Sequence, residues 1–120
     1  MSDLDGEDAK LVVLARAARG RAYTPHGQGR IEGAAVRDTD GRTYTAATVE
    51  HRNPALTTSA LRGALAAAAS SGARAFEAAV VVTDVSAGCA EDVEALREFG
   101  PGVPLILAGT DGDLLSTQST

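Results

Sequence analysis

Residues 57–83, TTSALRGALAAAASSGARAFEAAVVVT, decide the fold of this chain. Leu61, Ala64, Leu65 and Ala68 recur at i, i+3, i+4 and i+7, which predicts a helix over Thr57 to Ser71 ended by Gly72. Ala78 to Thr83 is a short, unbroken apolar run, the pattern of a strand covered on both faces. Downstream, Ala90 to Phe99 reads as a helix, Gly100-Pro101-Gly102 as a turn, and Pro104 to Ala108 as a second apolar strand. Upstream, the extended runs Arg30 to Asp38 and Thr43 to Val49 flank Thr39-Asp40-Gly41-Arg42, and Asp-Gly between β-favouring runs signals a hairpin. Leu11, Leu14, Ala15 and Ala18 mark a first amphipathic helix, and Tyr23 to Gly29, with Pro25, Gly27 and Gly29, reads as loop. The order α-β-β-α-β-α-β puts a hairpin ahead of strands joined by helical crossovers, so those strands are parallel. The expected architecture is a three-layer α/β/α sandwich with a mixed sheet.

At 120 residues and 12.2 kDa, a single domain over 1–120 is expected, with 1–8 and 110–120 as loose ends. A chain of this mass buries roughly 65% of its unfolded surface, enough for a core without covalent staples. Only 3% of residues are aromatic, so Ala, Val and Leu must fill that core. The net charge of −5 argues against a general nucleic-acid binder or an anionic-membrane binder. Lys10 is the one lysine among eleven basic residues, which points to coding bias rather than a functional basic patch. The single cysteine, Cys89, excludes an intrachain disulfide, and no apolar run approaches a membrane span. The acidic stretch Met1 to Asp8 is unlike a signal peptide, so a cytoplasmic location is expected.

Several segments, in this order and spacing, match one family. Ala22-Tyr23-Thr24-Pro25 resembles the Ala-Tyr-x-Pro-Tyr-Ser opening of small cytidine deaminases. Asp40-Gly41-Arg42 followed by Val49-Glu50 resembles their hairpin turn and Asn-Val-Glu-Asn segment. Leu56-Thr57-Thr58-Ser59-Ala60-Leu61-Arg62 resembles Leu-Thr-x-Cys-Ala-Glu-Arg, and Val80 to Asp84 resembles the strand that follows. Cys89-Ala90-Glu91-Asp92, ending in Leu96 to Phe99, resembles the Cys-x-x-Cys helix and its Leu-x-Glu-Phe end. The likeness runs from about Leu11 to Ala108.

In that family one His or Cys and a Cys-x-x-Cys pair hold Zn²⁺, and a Glu that is not a ligand moves protons. The resemblance places Ser59, Cys89 and Asp92 at the ligand positions and Leu61 at the Glu position. A neutral hydroxyl is a poor zinc ligand, and an alkyl group moves no proton, a loss of about 10²–10⁴ in rate. No catalytic residue is then intact and no cofactor is expected. The implied reading is a non-catalytic binding, regulatory or assembly module. The alternative is an active nucleoside deaminase with a rebuilt zinc site, and a third reading is a partner completing another subunit's pocket. The resemblance also implies a homo-oligomer, dimer or tetramer, and a pyrimidine nucleoside as ligand.

Glu50 keeps the position of the sugar-binding Glu, Thr48 replaces the sugar-reading Asn, and Ala60 keeps the position whose backbone faces the pyrimidine. By the same alignment Gly29 stands for the active-site Phe, Gln28 for a loop Asn, and Glu32 for the strand's Gly. Arg62 matches the Arg that neutralises zinc-bound thiolates, so an Arg62–Asp92 pair is expected to stand in for the metal centre. Read from the residues alone, Cys89 is a small core residue, Ser59 an N-cap, and His26 and His51 loop residues. Glu50 is a solvated charge or a partner to Arg52 or Arg62 on that plain reading. The run Ala66 to Ala69 serves equally as a good helix former or a close-packed oligomer surface. Whether a cavity survives beside Leu61 is left open by the sequence.

Overall fold

The computed structural model describes residues 4–85 and 87–120. Helix α1 (Gly6–Arg19) is capped by Asp5, whose carboxylate accepts the Asp8 N–H at 2.8 Å. Strands β1 (Gly33–Asp38) and β2 (Thr43–Ala47) form the hairpin foreseen at Asp40-Gly41. Asp38 Oδ1 accepts the Asp40 and Arg42 N–H groups, and Gly41 takes φ 85°. A single 3-10 turn (Pro54–Leu56) then leads to α2 (Ala60–Ser70), β3 (Phe76–Val82), α3 (Ala90–Arg97) and β4 (Pro104–Ala108).

The five strands lie in the order β2-β1-β3-β4-β5, with β5 spanning Leu114–Ser119. β3 and β4 are parallel, whereas β1 runs antiparallel to both β2 and β3. β2 and β3 therefore share a direction, and the α2 crossover joins them over β1. β5 corrects the expectation of a loose end over 110–120: it pairs antiparallel with β4. α1 likewise begins at Gly6, inside the stretch 1–8 expected to be loose.

The two-residue period of the strands divides the core between the two faces of the sheet. Ala35, Val80, Val82 and Ile106 meet Leu11, Val12 and Ala15 of α1 on one face. Ala34, Val36, Ala79, Val81 and Leu105 meet Leu61 and Leu65 of α2 and Leu96 of α3 on the other. This is the three-layer arrangement expected. One correction concerns α1, where Val12 is buried and Leu14 is 36% exposed. The α1 layer lies so close that a Cβ on Gly33 would come within 2.1 Å of the Ala15 carbonyl oxygen. The glycine this strand needs is thus Gly33, one position beyond the Glu32 alignment drawn from the resemblance.

Candidate functional site

α2 and α3 follow the carboxyl ends of β2 and β3, the side of an open α/β sheet where ligand sites form. Ser59 ends an extended segment and caps α2, its Oγ accepting the Arg62 N–H at 3.1 Å. The same hydroxyl donates to Asp92 Oδ1 at 2.6 Å and accepts from Arg62 Nε at 3.0 Å. Arg62 Nε also donates to Asp92 Oδ1 at 3.1 Å, so the anticipated Arg62–Asp92 pair is present with Ser59 as a third member. The Asp92 side chain is 5% exposed and the Arg62 side chain 41%, so the pair joins a buried carboxylate to a half-open cation. After solvent screening at Arg62, its contribution is about 1 kcal/mol.

These three residues border a cavity of about 160 Å³ that also meets Arg30, Glu32, Thr48, Thr57 and Cys89. Leu61 does not line it. That side chain is wholly buried in the core between α2 and the sheet, and the cavity beside it is open. Ala60 is also fully buried and its side chain lies outside the lining. Thr48 does reach the cavity, where its Oγ1 accepts the Glu32 N–H at 3.1 Å.

Glu50 lies elsewhere. It is 2% exposed, and its carboxylate accepts N–H groups from His26 (2.6 Å), Gln28 (2.7 Å) and Gly29 (2.9 Å). Burial raises its pKa, but these three backbone bonds, with the nearby charge of His26, outweigh that and hold it below the ordinary carboxylate value. Glu50 thus ties down the 26–29 loop and is no part of the cavity lining. It is neither the solvated charge nor the arginine partner of the plain reading.

Glu32 is the residue that sequence reasoning underused. It is 4% exposed just before β1, and its Oε2 accepts the Thr83 hydroxyl at 2.7 Å and faces Arg30 Nη1 at 3.6 Å. A glutamate inside the run Ile31 to Val36 is the available signal, because a strand buried on both faces takes a charge at its start only with partners.

The donor set does not fit the zinc centre that the fold family implies. Ser59 Oγ is committed to three hydrogen bonds, and Asp92 Oδ1 already carries a guanidinium. Cys89 stands at the N-cap of α3 and its thiol donates to Glu91 Oε1 at 3.5 Å. The His26 backbone belongs to the Glu50 loop, and His51 is exposed. Among the described residues no three His, Cys, Asp or Glu side chains are grouped so as to hold a metal ion.

The comparisons agree with this architecture. The family described as cytidine deaminase-like matches residues 4–112, and the chain belongs to that family. The cytidine deaminase of Burkholderia pseudomallei is 31% identical with a TM-score of 0.82, over 92% of this chain and 90% of that one. That of Mycobacterium tuberculosis is 28% identical, TM-score 0.75, over 86% and 85% of the two chains. The Mycobacterium leprae enzyme, 24% identical with a TM-score of 0.77 over 96% and 94%, shares the fold. No curated protein matches by sequence. No helix among the described residues is long and apolar enough to cross a membrane.

Proposed function

We propose that this chain is a non-catalytic member of its family, a binding or assembly module that has given up zinc-dependent deamination. The observation that carries the reading is the Ser59–Asp92–Arg62 cluster. Two positions assigned by resemblance to zinc ligands are hydrogen-bonded to each other and to a guanidinium. Such a cluster links the first turns of α2 and α3, the junction a metal would otherwise brace. Leu61, at the position of the proton-moving Glu, points into the apolar core and offers no acid or base.

The cavity supports retention of binding without turnover. Glu50, the residue expected to read a sugar, already accepts three backbone N–H groups of the 26–29 loop and lies outside the cavity lining, so a pyrimidine nucleoside binds weakly at best. A homo-oligomer, dimer or tetramer, is in keeping with the exposed Tyr23, Ile31, Val49 and Leu56. We place the protein in the cytoplasm, in keeping with its lone cysteine. The test is ultraviolet absorbance of cytidine and deoxycytidine incubated with excess protein. No protein-dependent conversion is expected; conversion that persists through further purification would restore the active-deaminase reading.

A further inference from the structure

We propose that the cavity bordered by Glu32 and Asp92 is a binding site for a small zwitterion, which enters cationic end first. Both side chains are 5% exposed, and each has only one oxygen engaged by the protein. Among the described residues, Glu32 Oε2 and Asp92 Oδ1 take all of the hydrogen bonds and ion pairs at these carboxylates, and Glu32 Oε1 and Asp92 Oδ2 take none. Neither oxygen is sealed: among the described residues, the one enclosed side-chain polar atom without a partner is Arg37 Nη1. Both residues line this cavity and, next to it, a space of only about 10 Å³ beside Thr83 and Gly88, so of the two the larger cavity alone has room for a ligand at these carboxylates.

The rim carries the opposite charge. Arg30 and Arg62 side chains are 49% and 41% exposed, and both border the same cavity. Among the described residues Arg62 bonds through Nε alone and Arg30 reaches Glu32 through Nη1 at 3.6 Å, so further guanidinium donors remain for a ligand. Two carboxylates inside and two guanidinium groups outside sum to zero net charge. A lone cation or a lone anion would thus meet one favourable pair and one repulsive pair. A molecule with an ammonium or amidinium at one end and a carboxylate at the other matches both. The volume, about 160 Å³, is that of a site for a molecule about the size of benzene.

This inference rests on the non-catalytic reading, and its test is separate from cytidine turnover. Calorimetric titration of the intact protein would use unbranched ω-amino acids of two to five carbons, with butylamine and butyrate as single-charge controls. At least one amino acid is expected to bind about tenfold or more tightly than either control. Glu32→Gln and Arg30→Gln should each weaken that binding by about tenfold; because Arg30 faces the buried Glu32 carboxylate, each variant is first shown to be folded by its urea unfolding curve. Absence of binding by every amino acid up to about 10 mM overturns the proposal, as does butylamine or butyrate binding as tightly as the best amino acid. Unchanged affinity in the folded Arg30→Gln protein also overturns it.

Discussion

Arg62 Nε lies 3.1 Å from Asp92 Oδ1, joining the first turn of α2 to the first turn of α3. The two residues are 30 apart in sequence, and β3 lies between their helices. The contact therefore fixes how the crossover helices meet at the carboxyl ends of the strands. Ser59 shares the same carboxylate oxygen, so the α2 cap and the ion pair form one unit.

A double-mutant cycle with Arg62→Leu and Asp92→Asn measures this unit. The expected coupling is about 1 kcal/mol, with each single change costing about 1–2 kcal/mol in urea unfolding. Additive effects would mean that the helices are held together without the pair.

Glu50 confers a pH dependence of known sign. Its folded pKa lies below the ordinary 4.5, so its stabilisation is fully present above that value and fades as pH falls through the folded one. Glu50→Gln should lower stability at pH 7, and the gap from the parent protein should narrow by pH 3. A gap that widens on acidification would contradict the bonding of the 26–29 loop to this carboxylate.

Gly33→Ala tests the close approach of α1 to the sheet. The added methyl carbon would fall 2.1 Å from the Ala15 carbonyl oxygen and 2.4 Å from the Arg19 nitrogen, so backbone must move. The expected cost is about 3 kcal/mol or more, read as a lowered urea midpoint or failure to fold. A near-neutral change would show that α1 shifts freely on the sheet.

Leu61→Glu places a carboxylate at the position that the resemblance assigns to the proton-moving Glu, yet into the apolar core between α2 and the sheet. A loss of about 3 kcal/mol or more is expected, with no cytidine turnover gained. Turnover in this single variant would show that the site needs only its acid/base group.

The readable parts of this chain were those governed by local pattern. Asp40-Gly41, the apolar run Ala78 to Thr83, and the stripe from Leu61 to Ala68 each follow from turn chemistry or periodicity, and each is realised. β5 escaped because Leu114–Ser119 is largely polar with alternating exposure at the sheet edge, where pairing with β4 rather than composition sets the structure. The Arg62–Asp92 pair is legible through the resemblance, which sets Arg62 at the place of an arginine neutralising the ligand group that Asp92 replaces. Glu32 was not, because the engagement of its Oε2 with Thr83 spans 51 residues and leaves no local trace. Glu50 was assigned to ligand binding because its position is retained, whereas its bonds run to a loop more than twenty residues earlier.

Elemental analysis of zinc per chain, on protein purified without a metal-affinity tag or chelator, tests the central claim most directly. The Ser59–Asp92–Arg62 cluster predicts a value near zero. About one zinc per chain would contradict it, and would mean that Cys89, Asp92 and their neighbours rearrange to build a metal centre.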